Sequence, residues 1–117
     1  MSVNVITPEN LKYETSNIEQ EKCVSGSPSQ QLSNVFTNLK ENFFCGVWRS
    51  TKGKWTLNYT EDEFCYLTRG RIVLTSDQGE ITTINAGEAF TIAAGFQGTW
   101  ETIEDCEKFY AIYEESA

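Results

Sequence analysis

From Gln30 to Tyr113 the sequence is a succession of short aromatic and β-branched runs, broken every several residues by glycine, asparagine, aspartate or serine. That punctuation constrains the fold more than any other feature. An amphipathic helix needs about ten or more residues of 3.6-period apolar spacing, and no stretch provides it. The segments 31–37, 43–49, 55–59, 63–70, 71–75, 80–84, 89–92, 99–103 and 108–113 read instead as strands. Turn signals separate them at 38–42, 52–54, 60–62, 76–79, 85–88, 93–98 and 104–107. Roughly nine or ten short strands with turns at this spacing predict an all-β sandwich or barrel. A chain of 117 residues has room for one such domain.

Residues 1–28 are less regular. Val3 to Ile6 suits an edge strand, Thr7-Pro8 opens a capped helical turn, and Ser25 to Ser29 is a turn or linker. The segment is expected to be an arm packed on the domain or on a second copy. Because barrel edges must be covered, it points to a homodimer.

Charge narrows the partners. Asp and Glu total 17 against 9 Lys and Arg, a net charge of −8, which nucleic acid and anionic membranes would repel. No apolar run reaches membrane-spanning length, and the N-terminus lacks the basic and apolar regions of a signal peptide. Cys23, Cys45, Cys65 and Cys106 lie far apart without C-x-x-C spacing, as expected of reduced thiols in a cytoplasmic protein. Histidine is absent altogether. No Ser–His or Cys–His pair can form, and no imidazole can bind a metal.

The run Glu63 to Gly70 carries the residue most in need of explanation. Alternation puts Glu63, Cys65 and Leu67 on one face and Phe64, Tyr66 and Thr68 on the other. Both faces carry apolar bulk, so the strand is expected to be covered on both sides. A carboxylate there is costly to bury unless it is paired, protonated or used. Gly70 ends the run where the chain can bend or take a positive φ.

Glu63 and Gly70, together with Gly87, Ala93 and Gly95, form a pattern that resembles the cupin superfamily, small jelly-roll barrels with two sequence motifs. Gly46-Val-Trp-Arg49, Gly53-Lys-Trp55, Ala86-Gly-Glu-Ala-Phe90 and Gly98-Thr-Trp-Glu101 bring it nearer to the (S)-ureidoglycine aminohydrolase-type cupin domain. The resemblance covers 43–114 and implies a small cupin jelly-roll β-barrel, with 1–42 supplying an N-terminal arm and first strands of a single domain over 1–117. It also implies where a cupin metal would sit. Spacing puts the ligand positions at Leu57, Tyr59, Glu63 and Gly98, so three of four hold no imidazole. A metal is therefore not expected, nor any other cofactor, and the hydrolase's metal-dependent activity does not carry over.

On that placement Trp55, Tyr59, Glu63 and Trp100 line the barrel mouth. Glu63 is either an acid–base group or a structural carboxylate hydrogen-bonded to Tyr59 or an indole N–H. Cys65 shares its face as a further candidate for ligand contact, either a nucleophile or, since no base is evident, a buried inert thiol; Trp48 reads as core, and Phe96 lies on a loop that could gate the mouth. Three functions fit: a metal-free small-molecule-binding cupin, an enzyme (hydrolase, isomerase or decarboxylase) using Glu63, or an interaction module with a filled barrel.

Overall fold

The computed structural model describes residues 3–115 and is an all-β jelly roll. Nine strands are present: β1 Glu14–Asn17, β2 Cys23–Ser25, β3 Ser29–Thr37, β4 Phe43–Ser50, β5 Gly53–Asn58, β6 Asp62–Ser76, β7 Ile81–Asn85, β8 Ala89–Ile92 and β9 Gln97–Tyr113. Among the described residues the only helical structure is two short 3-10 turns, Pro8–Asn10 and Gln20–Lys22. No described helix is long and apolar enough to cross a membrane.

The two longest strands organise the rest. β6 and β9 run antiparallel along nearly their whole length, from Asp62 opposite Tyr113 to Ser76 opposite Gly98. Around the first half of β6 the neighbours are β8 on one side and the C-terminal half of β9 on the other, followed by β4, β3 and β1. Around its second half they are β7, then the N-terminal half of β9, β5 and β2. The ladder shifts register between Leu67 and Ile72, where both long strands bend. One sheet therefore curls over itself into a half-barrel around its interior.

The bend corrects the sequence reading at two places. Strands expected at 63–70 and 71–75 are a single strand, because Gly70 takes φ 91° and carries the chain through the corner without ending the ladder. Glu104–Glu107, expected to be a turn, lies inside β9, where Glu104 and Glu107 still pair with Arg71 and Arg69. Propensity marked the polar residues correctly; they sit on the outside of a bent strand.

Alternation decides what is inside. Glu63, Cys65 and Leu67 point inward with 5%, 0% and 0% exposure, as expected, while Phe64 and Tyr66 remain 52% and 39% exposed. The expectation that β6 is covered on both faces is thus wrong for the described chain: its outer face is apolar and open. The core joins Trp55, Leu67, Ile72, Leu74, Ile84, Ile92, Trp100 and Cys106. All four cysteines are free thiols.

The arm packs on its own domain. β1 adds to the edge of β3, β2 adds to β5, and Ile18 N–H donates to the Pro28 carbonyl at 3.1 Å. Val3 to Ile6, expected as an edge strand, forms none.

Candidate functional site

β6 and β9 deliver the charged centre. In their ladder Glu63 lies opposite Ile112, Cys65 opposite Tyr110 and Leu67 opposite Lys108, all inward positions. Lys108 reaches diagonally across, so that its Nζ donates to Glu63 Oε2 at 2.9 Å and to Cys65 Sγ at 3.4 Å. Tyr59, in the connection from β5 to β6, donates its hydroxyl to the other oxygen, Glu63 Oε1, at 2.5 Å. That connection is pinned to the loop after β8: Tyr59 N–H donates to the Phe96 carbonyl at 2.8 Å and Gly95 N–H to the Tyr59 carbonyl at 2.7 Å. Two indole faces complete the ammonium's surroundings, Trp100 at 4.8 Å and Trp48 at 5.0 Å from Nζ.

Burial and charge set the protonation states. Lys108 is 4% exposed, and burial alone would drive its ammonium to release a proton. The Glu63 carboxylate, which accepts from Nζ, outweighs that cost, so the ammonium is held above the usual lysine range. Burial, only partly offset by Lys108, pushes the Cys65 thiol up to about 12 and the Tyr59 phenol further still. The centre is a carboxylate–ammonium pair flanked by a neutral phenol and a neutral thiol. Cys65 is no nucleophile in this state.

A cavity of about 820 Å³ opens over this centre. Its floor includes Glu63, Lys108 and Tyr110, with Trp48 and Trp55 on one wall. Asn17, Ile18 and Lys22 of the arm form another wall, and Asn58, Glu61 and Gln97 stand at the rim. The volume falls within the range of small-molecule pockets. Two polar groups of the lining are already paired: Trp48 Nε1 donates to Gln30 Oε1 at 2.9 Å, and Tyr110 OH to Asn34 Oδ1 at 2.7 Å.

Most of the residues expected at the mouth come together here. Trp55, Tyr59, Glu63 and Trp100 all border the cavity, although Trp55 and Trp100 are 4% and 2% exposed and belong chiefly to the core. The Trp100 indole donates to Thr102 Oγ1 at 2.9 Å, and Trp55 stacks on it with centroids 6.2 Å apart. Of the two hydrogen bonds considered for Glu63, the one from Tyr59 is made. Cys65 lies behind the charged pair, outside the cavity lining. Phe96 does not gate this cavity; it borders a separate apolar cleft of about 320 Å³ with Phe90 and Ile92, while packing edge-on against Tyr59. Trp48, read as core, is a half-buried wall.

Lys108 is the residue the sequence reading missed. The available signal was alternation, which puts Lys108 on the same face as Tyr110 and Ile112. A buried carboxylate is relieved by pairing with a cation, and among the described residues Lys108 is the buried one.

A transition metal does not fit. Leu57 offers no donor atom, and a Cβ at Gly98 would run into the Thr75 carbonyl oxygen, so no side chain can be placed there. Both Glu63 oxygens are engaged, one by an ammonium that would repel a cation.

Comparison with known proteins agrees with this architecture. No curated protein matches the chain. A structure of a protein of unknown function from Pseudomonas syringae pv. tomato, of the DUF861 family, superposes with a TM-score of 0.78 at 27% identity, over 87% of this chain and 43% of that one. This chain thus spans less than half of that protein's length. The Clostridium difficile EutQ protein superposes with a TM-score of 0.66 at 19% identity, over 76% and 65% of the two chains. A putative ethanolamine utilization protein from Salmonella typhimurium gives 0.68 at 10% identity, over 91% and 98%. The last two likenesses are of fold. The model of the EutQ-like cupin domain matches residues 37–110, from the end of β3 into β9 and across Tyr59, Glu63 and Lys108. The chain belongs to the EutQ-like cupin domain family.

Proposed function

We propose that this chain is a small-molecule-binding cupin whose ligand seats over the Tyr59–Glu63–Lys108 centre without a metal. One observation carries the reading: a carboxylate and an ammonium, each about 95% buried, border a cavity of about 820 Å³. Charged groups so costly to desolvate usually stay in pockets that use them. The pair is neutral overall and Lys108 already occupies the Trp48 and Trp100 faces, which disfavours a purely cationic ligand. Small neutral or zwitterionic molecules with hydrogen-bonding groups suit the polar rim better. From the resemblance to (S)-ureidoglycine aminohydrolase-type cupins the proposal keeps the barrel and leaves out the metal-dependent hydrolysis.

A second reading rests on Lys108 lying within hydrogen-bond reach of both Glu63 and Cys65. In a metal-independent enzyme the pair would pass a proton to or from a bound substrate, with Glu63 as the acid–base group.

Three tryptophans around the cavity provide a signal. Titrating the protein with small amides, amino acids and amino alcohols should give a saturable change in indole emission with at least one class. Tyr59→Phe, which removes a donor to Glu63 and leaves the walls in place, should weaken that binding by about tenfold. No saturable change with any class, or full affinity in Tyr59→Phe, would remove the basis for the site.

A further inference from the structure

β7 and β8 leave a gap in the sheet. β7 pairs with the second half of β6 and β8 with its first half, and among the described residues neither strand pairs with any other. The half-barrel is therefore open between them, and the cleft of about 320 Å³ lies at this opening. Leu74 on β6, Ile84 on β7, Phe90 and Ile92 on β8, and Phe96 on the following loop form its apolar walls. Leu74, Ile84 and Ile92 belong to the buried core, whereas the Phe90 and Phe96 rings are half-buried. The cleft is distinct from the larger cavity. No residue borders both, and the edge-on contact of Phe96 with Tyr59 stands between them.

Charge at the mouth of the cleft is of one sign. Glu80 is the only ionisable residue in its lining. Among the described residues the ion pairs are Arg49–Glu107, Arg71–Glu104 and Lys108–Glu63, so the Glu80 carboxylate has no cationic partner there. The turn from β6 into β7 fixes its backbone: Ser76 N–H donates to the Glu80 carbonyl at 2.8 Å, and Glu80 N–H to Ser76 Oγ at 3.1 Å.

We infer that this cleft is a second binding site, for a small molecule with an apolar body and one cationic end. The body lies against Phe90 and Phe96, and the cation meets Glu80. Three features select that class. The volume is at the lower end of small-molecule pockets, enough for one ring or a short branched chain. The walls are aliphatic and aromatic, which rewards an apolar body with packing as well as burial. The mouth offers only a carboxylate, in a chain of net charge −8, so an anion is repelled and a cation drawn in. This selectivity is the reverse of the cavity's, where Lys108 already occupies the indole faces. The two openings therefore take different molecules, and the cleft does not depend on what seats over Glu63.

Amide NMR of the full chain with 2-phenylethylamine, neutral 2-phenylethanol and the acid 3-phenylpropanoate tests it. The amine should give shifts that saturate by about 10 mM, centred on β7, β8 and residues 93–96. The alcohol should bind about fivefold more weakly, and the acid not at all. Glu80→Gln should lower the amine to the alcohol's affinity and leave the alcohol's own unchanged. Thr82→Phe, which sets a ring in the cleft from an exposed strand position, should abolish binding of both. If that variant does not fold, Thr82→Leu should weaken both. No saturable shift with the amine, equal affinity for amine and acid, shifts centred on Glu63 and Lys108, or full amine affinity in Glu80→Gln would each overturn the assignment. Ligand binding in the larger cavity is read separately from the indoles, so failure of one site is distinguishable from failure of the other.

Discussion

Lys108 and Glu63 form an ion pair at 2.9 Å whose side chains are 5% and 3% exposed, a geometry in which losing one partner costs more than losing both. Glu63→Gln leaves an ammonium facing a thiol and two indoles; Lys108→Met leaves a carboxylate whose one remaining donor is Tyr59. Each single change is expected to destabilise by about 3–5 kcal/mol. The double variant, neutral and of similar volume, should lose less than either single one, and urea denaturation of all four proteins would measure the coupling. Single losses under about 1 kcal/mol would mean that water reaches the pair. The same centre marks what was legible in the sequence. Glu63 stood out because an acid sat on an otherwise apolar strand face, and Tyr59 because motif spacing put it at a ligand position. Lys108 did not, because its meaning depends on a partner 45 residues earlier in the chain.

The strands that carry these residues are held in shape by one corner. At Gly70 the backbone takes φ 91°, and a Cβ there would lie 2.5 Å from the Asp105 carbonyl oxygen and 2.7 Å from that of Glu104. Conformation and close approach both call for glycine. Gly70→Ala should therefore cost more than about 2 kcal/mol. Gly87 has a similar φ of 93° with nothing within 4 Å of its missing Cβ, so Gly87→Ala should cost only about 1 kcal/mol. Chemical denaturation of the two variants separates steric closure from backbone strain; equal losses would show that the corner tolerates a methyl group. Beside the bend, Arg49 on β4 holds Glu107 at 2.7 Å, and Thr68 on β6 donates to Glu107 at 2.8 Å. Burial would raise that carboxyl, but these two partners outweigh it and hold it below its ordinary value.

In the whole molecule the curled sheet has two unlike surfaces, an interior with a charged centre and an aromatic exterior behind it. The centre supplies its own cation, so the fold should not depend on a metal. Prolonged dialysis against a strong chelator is expected to leave the melting temperature and near-UV spectrum unchanged; a drop of several degrees, reversed by zinc or manganese, would contradict the donor chemistry at Leu57, Glu63 and Gly98. By itself the sequence determined the strand-rich architecture, the turns at 76–79 and 85–88, the inward face of β6 and the lack of any imidazole. These follow from local propensity and a two-residue period. The tertiary structure alone decided that β6 and β9 run unbroken through their polar corners, that Phe96 turns to another cleft, that Phe64 and Tyr66 remain open, and that Lys108 meets Glu63. Each of these depends on which distant strand lies alongside, and that register is set by the curl of the whole sheet rather than by any one segment.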